Sequence, residues 1–444
     1  MQMQPSTENL KRTIGPFALA LAIFNAVVGS GIFVLPALVV EGIGATAVLA
    51  YFICGAVILL IALCFAELGS RTDRSGGIYT YVEEAFGPFA GFLAASLYWI
   101  GNCIMADAAV ANVLAGILAI IFPVLGQPGY RFLVILLVFG TVMLLNIRSA
   151  RGGMGLVRIT ALSKIGPLLL LVIIASAFID PSNLRWEVAP TWSNMGTASI
   201  LLFYMFMGME APLSNGGEMK DPRRTVPLGL LLGMCFILML YVSVHLVTQG
   251  VLGNTMPLHK DAPLAAVATI VAGTAGAVII LITGALSALG VVAVDMFSIT
   301  RILFASARAG LMPGQLARVH PKFETPWISI IVYGSLGFVV AVSGSFRQLA
   351  IISSASGLLV YFGVMMAALQ GKLQKRGSRE GGFRIPFGPV IPALAGLVIL
   401  WMLSHLEKKE LLGMSGFITA LSVIYFFMSY RKRKARIRPV GEPL

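Results

Sequence analysis

The sequence predicts an all-α integral membrane protein of about twelve spans, on three observations. Of its 444 residues 58% are hydrophobic and 11% charged, against roughly half and a quarter in soluble domains. The mean hydropathy is +0.90. Apolar runs able to cross a bilayer, at about 20 residues each, recur along nearly the whole chain and leave no stretch for a separate catalytic domain.

Taken in order, a polar tail over 1–13 precedes spans at about 14–40, 43–66, 86–121, 131–148 and 155–179. Five more are expected at about 194–215, 225–252, 275–306, 326–343 and 347–370. Two C-terminal spans at 388–405 and 411–430 and a basic tail over 431–444 complete the chain. Boundaries fall at Gly, Pro and charge clusters. The first apolar run is too long for a secretory signal core and lacks a small-residue cleavage site, so it is expected to stay as a span. Residues 262–273, APLAAVATIVAG, are too short to cross alone and read as a re-entrant or surface helix, or as an extension absorbed by the eighth span.

The net charge of +13 reads as loop charge, not as a nucleic-acid footprint. With the N-terminus inside, 26 of the 32 Lys and Arg residues fall on the inner side and six on the outer. That asymmetry predicts an even number of spans with both termini cytoplasmic. The RKRKARIR tail could instead bind anionic lipid. Cys54, Cys64, Cys103 and Cys235 all lie in apolar stretches and read as packing residues. His245, His259, His320 and His405 are scattered, so no metal site is expected.

Two spans are interrupted at mid-depth. Val28-Gly29-Ser30-Gly31-Ile32 puts two glycines and a serine in the first, and Phe206-Met207-Gly208-Met209-Glu210 puts a glycine and a carboxylate in the sixth. Unwound backbone is tolerated there only where protein or a water-filled cavity satisfies it. The breaks are five spans apart, which predicts inverted repeats over 14–179 and 194–370 with a substrate held between half-helices. The alternative for the first break is a small-residue packing face.

Further segments extend this pattern: Gly29-Ser30-Gly31-Ile32-Phe33 with Pro36, Ser75-Gly76-Gly77-Ile78-Tyr79-Thr80-Tyr81 with Phe86-Gly87, and Gly208-Met209-Glu210. Glu218-Met219-Lys220-Asp221-Pro222-Arg223-Arg224-Thr225-Val226-Pro227 and Ser306-Ala307-Arg308-Ala309-Gly310-Leu311-Met312-Pro313 come after them in the chain. In this order they resemble the amino acid permease branch of the amino acid, polyamine and organocation superfamily of secondary transporters. The resemblance covers roughly 14–430. It implies a 5+5 inverted repeat with discontinuous first and sixth helices plus two C-terminal helices, and amino acid transport by alternating access, as a proton symporter or an exchanger, in a bacterial cytoplasmic membrane. It implies no enzymatic activity, cofactor or metal, and leaves a homodimer or an accessory subunit open.

By that resemblance the substrate carboxylate meets N–H groups at Val28, Gly29, Ser30, Gly31 and Ile32, and its amino group meets Tyr204, Met207 and Gly208. A half-helix N-terminus supplies unpaired donors and a C-terminus supplies acceptors. Tyr204 stands where relatives have an aromatic lid, although an aromatic in a span can simply pack. Lys164 aligns with a lysine that replaces sodium in sodium-independent relatives, where it could gain and lose a proton during the cycle, or it snorkels to the interface. Tyr79, Tyr81, Glu83, Glu84, Glu218, Asp221, Arg223 and Arg224 resemble an intracellular gate network.

An ionised side chain at a helix centre costs an apparent ~2.5–3.5 kcal/mol. Asp107, Lys164, Glu210 and Asp295 therefore call for partners or a function. Three carboxylates facing one cavity against a single ammonium favour a substrate with an extra positive charge, a cationic amino acid or a polyamine. They could equally be proton carriers in a neutral amino acid permease, and Asp107 could bond Asn102 or Asn112 and only stitch helices. His245 is a weaker proton-relay candidate, more simply a satisfied core histidine. A channel or scaffold would need no paired breaks. No Ser/His pair, HExxH or GxxxxGK[ST] motif supports an intramembrane enzyme or an ATP-driven pump.

Overall fold

Pro16, whose missing N–H costs nothing at a helix start, opens α1 (Pro16–Val27). The computed structural model describes residues 14–41, 43–70, 78–148, 150–187, 189–213, 219–308, 312–374 and 383–437. After α1 the backbone leaves the helix, tightens into a short turn at Gly31–Phe33 and resumes as α2 (Leu35–Val39). Then come α3 (Val48–Ser70), α4 (Tyr79–Phe86) and α5 (Pro88–Ser96). A π-helical segment, Leu97–Ile104, joins α5 to α6 (Met105–Ile121), and α7 (Pro128–Arg148) and α8 (Ala150–Ala175) come next.

The sixth span is broken as well. It consists of α9 (Trp192–Phe203), a turn at Tyr204–Phe206 and α10 (Glu210–Leu213). Beyond it are α11 (Pro222–Leu252) and α12 (Pro263–Arg308), the latter interrupted at Gly273 with φ +66°. That kink lies between the 262–273 stretch and the rest of α12. The chain closes with α13 (Trp327–Ser343), α14 (Phe346–Leu373), α15 (Val390–Leu403) and α16 (Lys408–Ile437). A reciprocal Ser345–Gln348 cap starts α14.

By length and composition, seven helices among the described residues can cross a membrane: Gly44–Ser70, Pro88–Ile121, Pro128–Arg148, Pro222–His259, Pro263–Arg308, Phe346–Leu373 and Lys408–Tyr430. Four shorter apolar helices, Pro16–Val27, Ser163–Phe178, Trp327–Ser343 and Val390–Leu403, stand at the expected first, fifth, ninth and eleventh spans. The protein is an all-α integral membrane protein. Its centre is built by α11 packing on α1 and α3, and by α12 packing on α8 and α6. Close approach rests on small residues: a Cβ on Gly229 of α11 would meet Leu19 of α1 at 2.7 Å.

Cys54, Cys64 and Cys103 are buried, but Cys235 is exposed on the outer face of α11, because an apolar run does not say which side of the helix meets the bundle. The segments 75–77 and 309–311, and Glu218, lie outside the described residues.

Candidate functional site

The two breaks meet at the centre of the bundle. Their unwound carbonyls lack helical partners and need donors in so dry a place. The Tyr241 hydroxyl on α11 supplies one to both, lying 3.2 Å from the Val27 carbonyl and 2.9 Å from that of Met205. Gly208 reaches the junction with φ +110°, and a Cβ there would stand 3.0 Å from the Ala26 carbonyl oxygen. Only glycine suits both the backbone angle and the close approach.

A cavity of about 80 Å³ opens against this junction, room for a few waters or a small polar head group. Gly29, Ser30 and Gly31 line it from the first break, and Tyr204, Met207, Gly208 and Glu210 from the sixth. The N–H groups of Gly29, Ser30, Gly31 and Ile32 find no acceptor among the described residues. Three of those four residues face the cavity, so it presents free donors at the N-terminus of a turn. Val28 does not belong with them: its N–H bonds the Phe24 carbonyl at 2.9 Å, ending α1, and its own carbonyl is occupied. Ile32 is fully buried and outside the lining.

The Val28 carbonyl is held by Lys164. From α8 its ammonium donates to the Val28 oxygen at 2.6 Å and the Asn25 oxygen at 2.9 Å. The side chain is 3% exposed and lines the cavity. Snorkelling to an interface is therefore not its posture; it fills the acceptor-rich C-terminal end of α1, where the dipole favours a cation.

The three carboxylates part company. Glu210 and Asp295 line the cavity, and Asp107 does not. Glu210 accepts the Tyr361 hydroxyl at 2.5 Å. Asp295, on α12, has no hydrogen-bond partner among the described residues and stays accessible from the cavity. Asp107 is fully buried outside it, one oxygen accepting the Tyr333 hydroxyl of α13 at 2.9 Å and the other unpartnered among the described residues. The expected trio in one cavity is thus a pair. Neither anticipated asparagine is Asp107's partner: Asn112 bonds Arg131 at 2.6 Å and the Ala341 carbonyl.

Asn102 instead organises the span-three wall, a role its sequence context does not single out. Its amide donates to Ser353 Oγ at 3.0 Å and to Met207 Sδ at 3.4 Å, tying α14 and the sixth-span break to the π-helical segment. Tyr98 and Cys103 of the same segment also face the cavity. A π-helical turn is frequent at functional sites. Tyr204, in the cavity wall, donates to the Ala106 carbonyl at 3.1 Å and sets its ring edge-on to Phe346 at 5.8 Å.

Elsewhere His245 is not a satisfied core histidine. Its ring lies against that of Tyr51, tilted by 32° with centroids 4.5 Å apart, and neither ring nitrogen has a hydrogen-bond partner among the described residues. Of the expected gate residues, Asp221 caps α11 through the Arg223 N–H and Tyr81 packs edge-on to Phe65. The pair the sequence did not flag is buried at the end of α3. Glu67 takes the Lys372 ammonium at 2.8 Å and the Ile385 N–H at 3.0 Å.

A family model described as amino acid permease matches residues 14–431. The chain belongs to that family. This permease is accordingly a membrane transporter, not an enzyme. It is 27% identical to the methylthioribose transporter of Bacillus subtilis (strain 168), over 97% of this chain and 96% of the relative. It is 26% identical to a branched-chain amino acid permease of the same organism, over 96% and 95%. It is 29% identical to cationic amino acid transporter 4 of Mus musculus, over 83% of this chain and 61% of the relative.

Proposed function

We propose that the permease is a secondary active, sodium-independent amino acid transporter that works by alternating access between two inverted repeats, with a preference for substrates carrying a second positive charge. It sits in a bacterial cytoplasmic membrane with both termini inside. The observation that carries this reading is the unpaired Asp295 carboxylate facing, across one small cavity, the free N–H groups of the first break. The N–H groups receive the substrate carboxylate, the sixth-span break receives the α-ammonium, and Asp295 receives the side-chain cation. Lys164 occupies the place of a coupling ion, because its ammonium already satisfies the carbonyls that sodium would need.

With Glu210, Asp295 and Lys164 all ionised, the cavity carries one net negative charge, which one substrate cation balances. Relatives with names as different as methylthioribose transporter and cationic amino acid transporter share this scaffold, so the side-chain end of the cavity must set selectivity. A second reading, a neutral amino acid permease in which the acids carry protons, is favoured by one observation: Glu210 and Asp295 share the cavity with the single ammonium of Lys164, so a proton on one acid balances the charge as well as a substrate cation does.

Thermal-shift binding on purified protein separates the two readings, since a ligand at 100 times its Kd adds about 2.7 kcal/mol of stability. Lysine, arginine or putrescine should stabilise the protein, and alanine and leucine should not. Stabilisation by alanine or leucine alone contradicts the cationic assignment and leaves the proton-carrier reading.

A further inference from the structure

Behind the span-three wall lies a second space. A groove of about 520 Å³ runs between α16 and the packed ends of α13 and α14, within the ~300–1,000 Å³ typical of ligand pockets. The π-helical segment and the start of α6 wall both spaces: Gly101 and Met105 face the groove while Asn102, Cys103 and Ala106 face the cavity. Below its rim the groove is apolar, lined by Met105, Leu349, Ile352, Met414 and Phe417. Its rim carries Gln348, Lys409 and Glu410. The outer surface of α16 is open, with Leu412 73% and Phe426 61% exposed.

We propose that this groove is a lipid site holding one acyl chain of a zwitterionic phospholipid, with the headgroup at Lys409 and Glu410. The side chains of Met105, Leu349, Ile352, Met414 and Phe417 offer water no hydrogen bond, so the depth of the groove favours an apolar occupant. In a membrane-spanning chain the medium beside α16 is hydrocarbon, and a flexible acyl chain can thread a narrow apolar slot. The rim pairs a cation with an anion, which complements a phosphate beside an ammonium; a purely anionic headgroup would meet Glu410 unopposed. Lys409 now contacts Glu407 at 3.0 Å, both side chains well exposed, and such a pair is weak enough to exchange for a phosphate.

Gly413 makes the test clean. It lines the groove, and a Cβ there meets nothing within 4 Å, so the side chain of Gly413→Phe starts into open space and takes up room in the slot. Gly416 is equally unhindered but is not part of the lining, so Gly416→Phe is the control. The full chain is reconstituted in vesicles of phosphatidylethanolamine and phosphatidylglycerol in equal parts, with a trace of phosphatidylethanolamine bearing a photoreactive acyl chain, and labelled peptides are mapped. Label should fall on the peptides holding Met105 and Met414, drop at least tenfold in Gly413→Phe and change less than twofold in Gly416→Phe. Equal labelling of both variants and wild type would overturn the site. Labelling by a phosphatidylglycerol probe as strong as by phosphatidylethanolamine would overturn the headgroup assignment. If Gly413→Phe leaves the label unchanged and halves the particle mass by light scattering, the lipid site is overturned and the groove is a contact between two copies.

Discussion

Asp295 and Asp107 are the same residue type at similar depth on neighbouring helices, yet they differ in every respect that matters for a ligand. Asp295 on α12 opens into the cavity with no hydrogen-bond partner among the described residues. Asp107 on α6 is sealed behind the wall against the Tyr333 hydroxyl. A buried carboxylate that already has a donor and no access is part of the packing; one with access and no donor is available. The difference teaches that an intramembrane acid must be judged by its outlets, not by its depth.

The largest effect that would test this contrast is at Lys164, the cation that shares the cavity with Asp295. Lys164→Met leaves the Asn25 and Val28 carbonyls without their donor and the cavity acids unopposed. Two hydrogen bonds to a charged group, at about 1.5–3 kcal/mol each, predict a fall of about a hundredfold or more in arginine uptake by proteoliposomes. Wild-type uptake should be unchanged when choline replaces sodium. A smaller effect is expected from the two tyrosines. Tyr361→Phe removes the donor from Glu210 in the cavity and should weaken substrate binding about fivefold, on the order of 1 kcal/mol. Tyr333→Phe leaves a buried carboxylate oxygen unpaired, so thermal denaturation should show a loss of about 1–3 kcal/mol with substrate affinity within twofold of wild type. If Tyr333→Phe instead weakens binding and spares stability, the contrast is wrong.

The interruptions are legible in the sequence because glycine, serine and a carboxylate in the middle of an apolar run have no lipid-facing explanation. Both breaks lie where Gly29–Gly31 and Gly208 place them. Lys164 can be matched to its role from the motif around it, but not to its two carbonyl partners, which come from a helix 136 and 139 positions away. Asp107 parts from the expected trio because its grouping rested on the third span lining the site, and membership of a span does not say which face of the helix a residue occupies: Ala106 and Val110 face the cavity and Asp107 does not. Asn102 is visible only as a polar residue in an apolar span; its partners Ser353 and Met207 depend on tertiary packing. Likewise Cys235 and His245 sit in apolar sequence, which sets depth but not orientation.

The most direct test of the central claim is the equilibrium Kd for arginine of three proteins, wild type, Asp295→Asn and Asp107→Asn, measured in the same detergent at the same pH. A lost charge-assisted contact in the cavity, about 1.5–3 kcal/mol, predicts a roughly 10- to 150-fold weaker Kd for Asp295→Asn. Asp107→Asn should stay within twofold of wild type, and leucine should show no measurable binding to any of the three. Equal losses at both aspartates, or a loss at Asp107 alone, would contradict the assignment of Asp295 as the acid that meets the substrate.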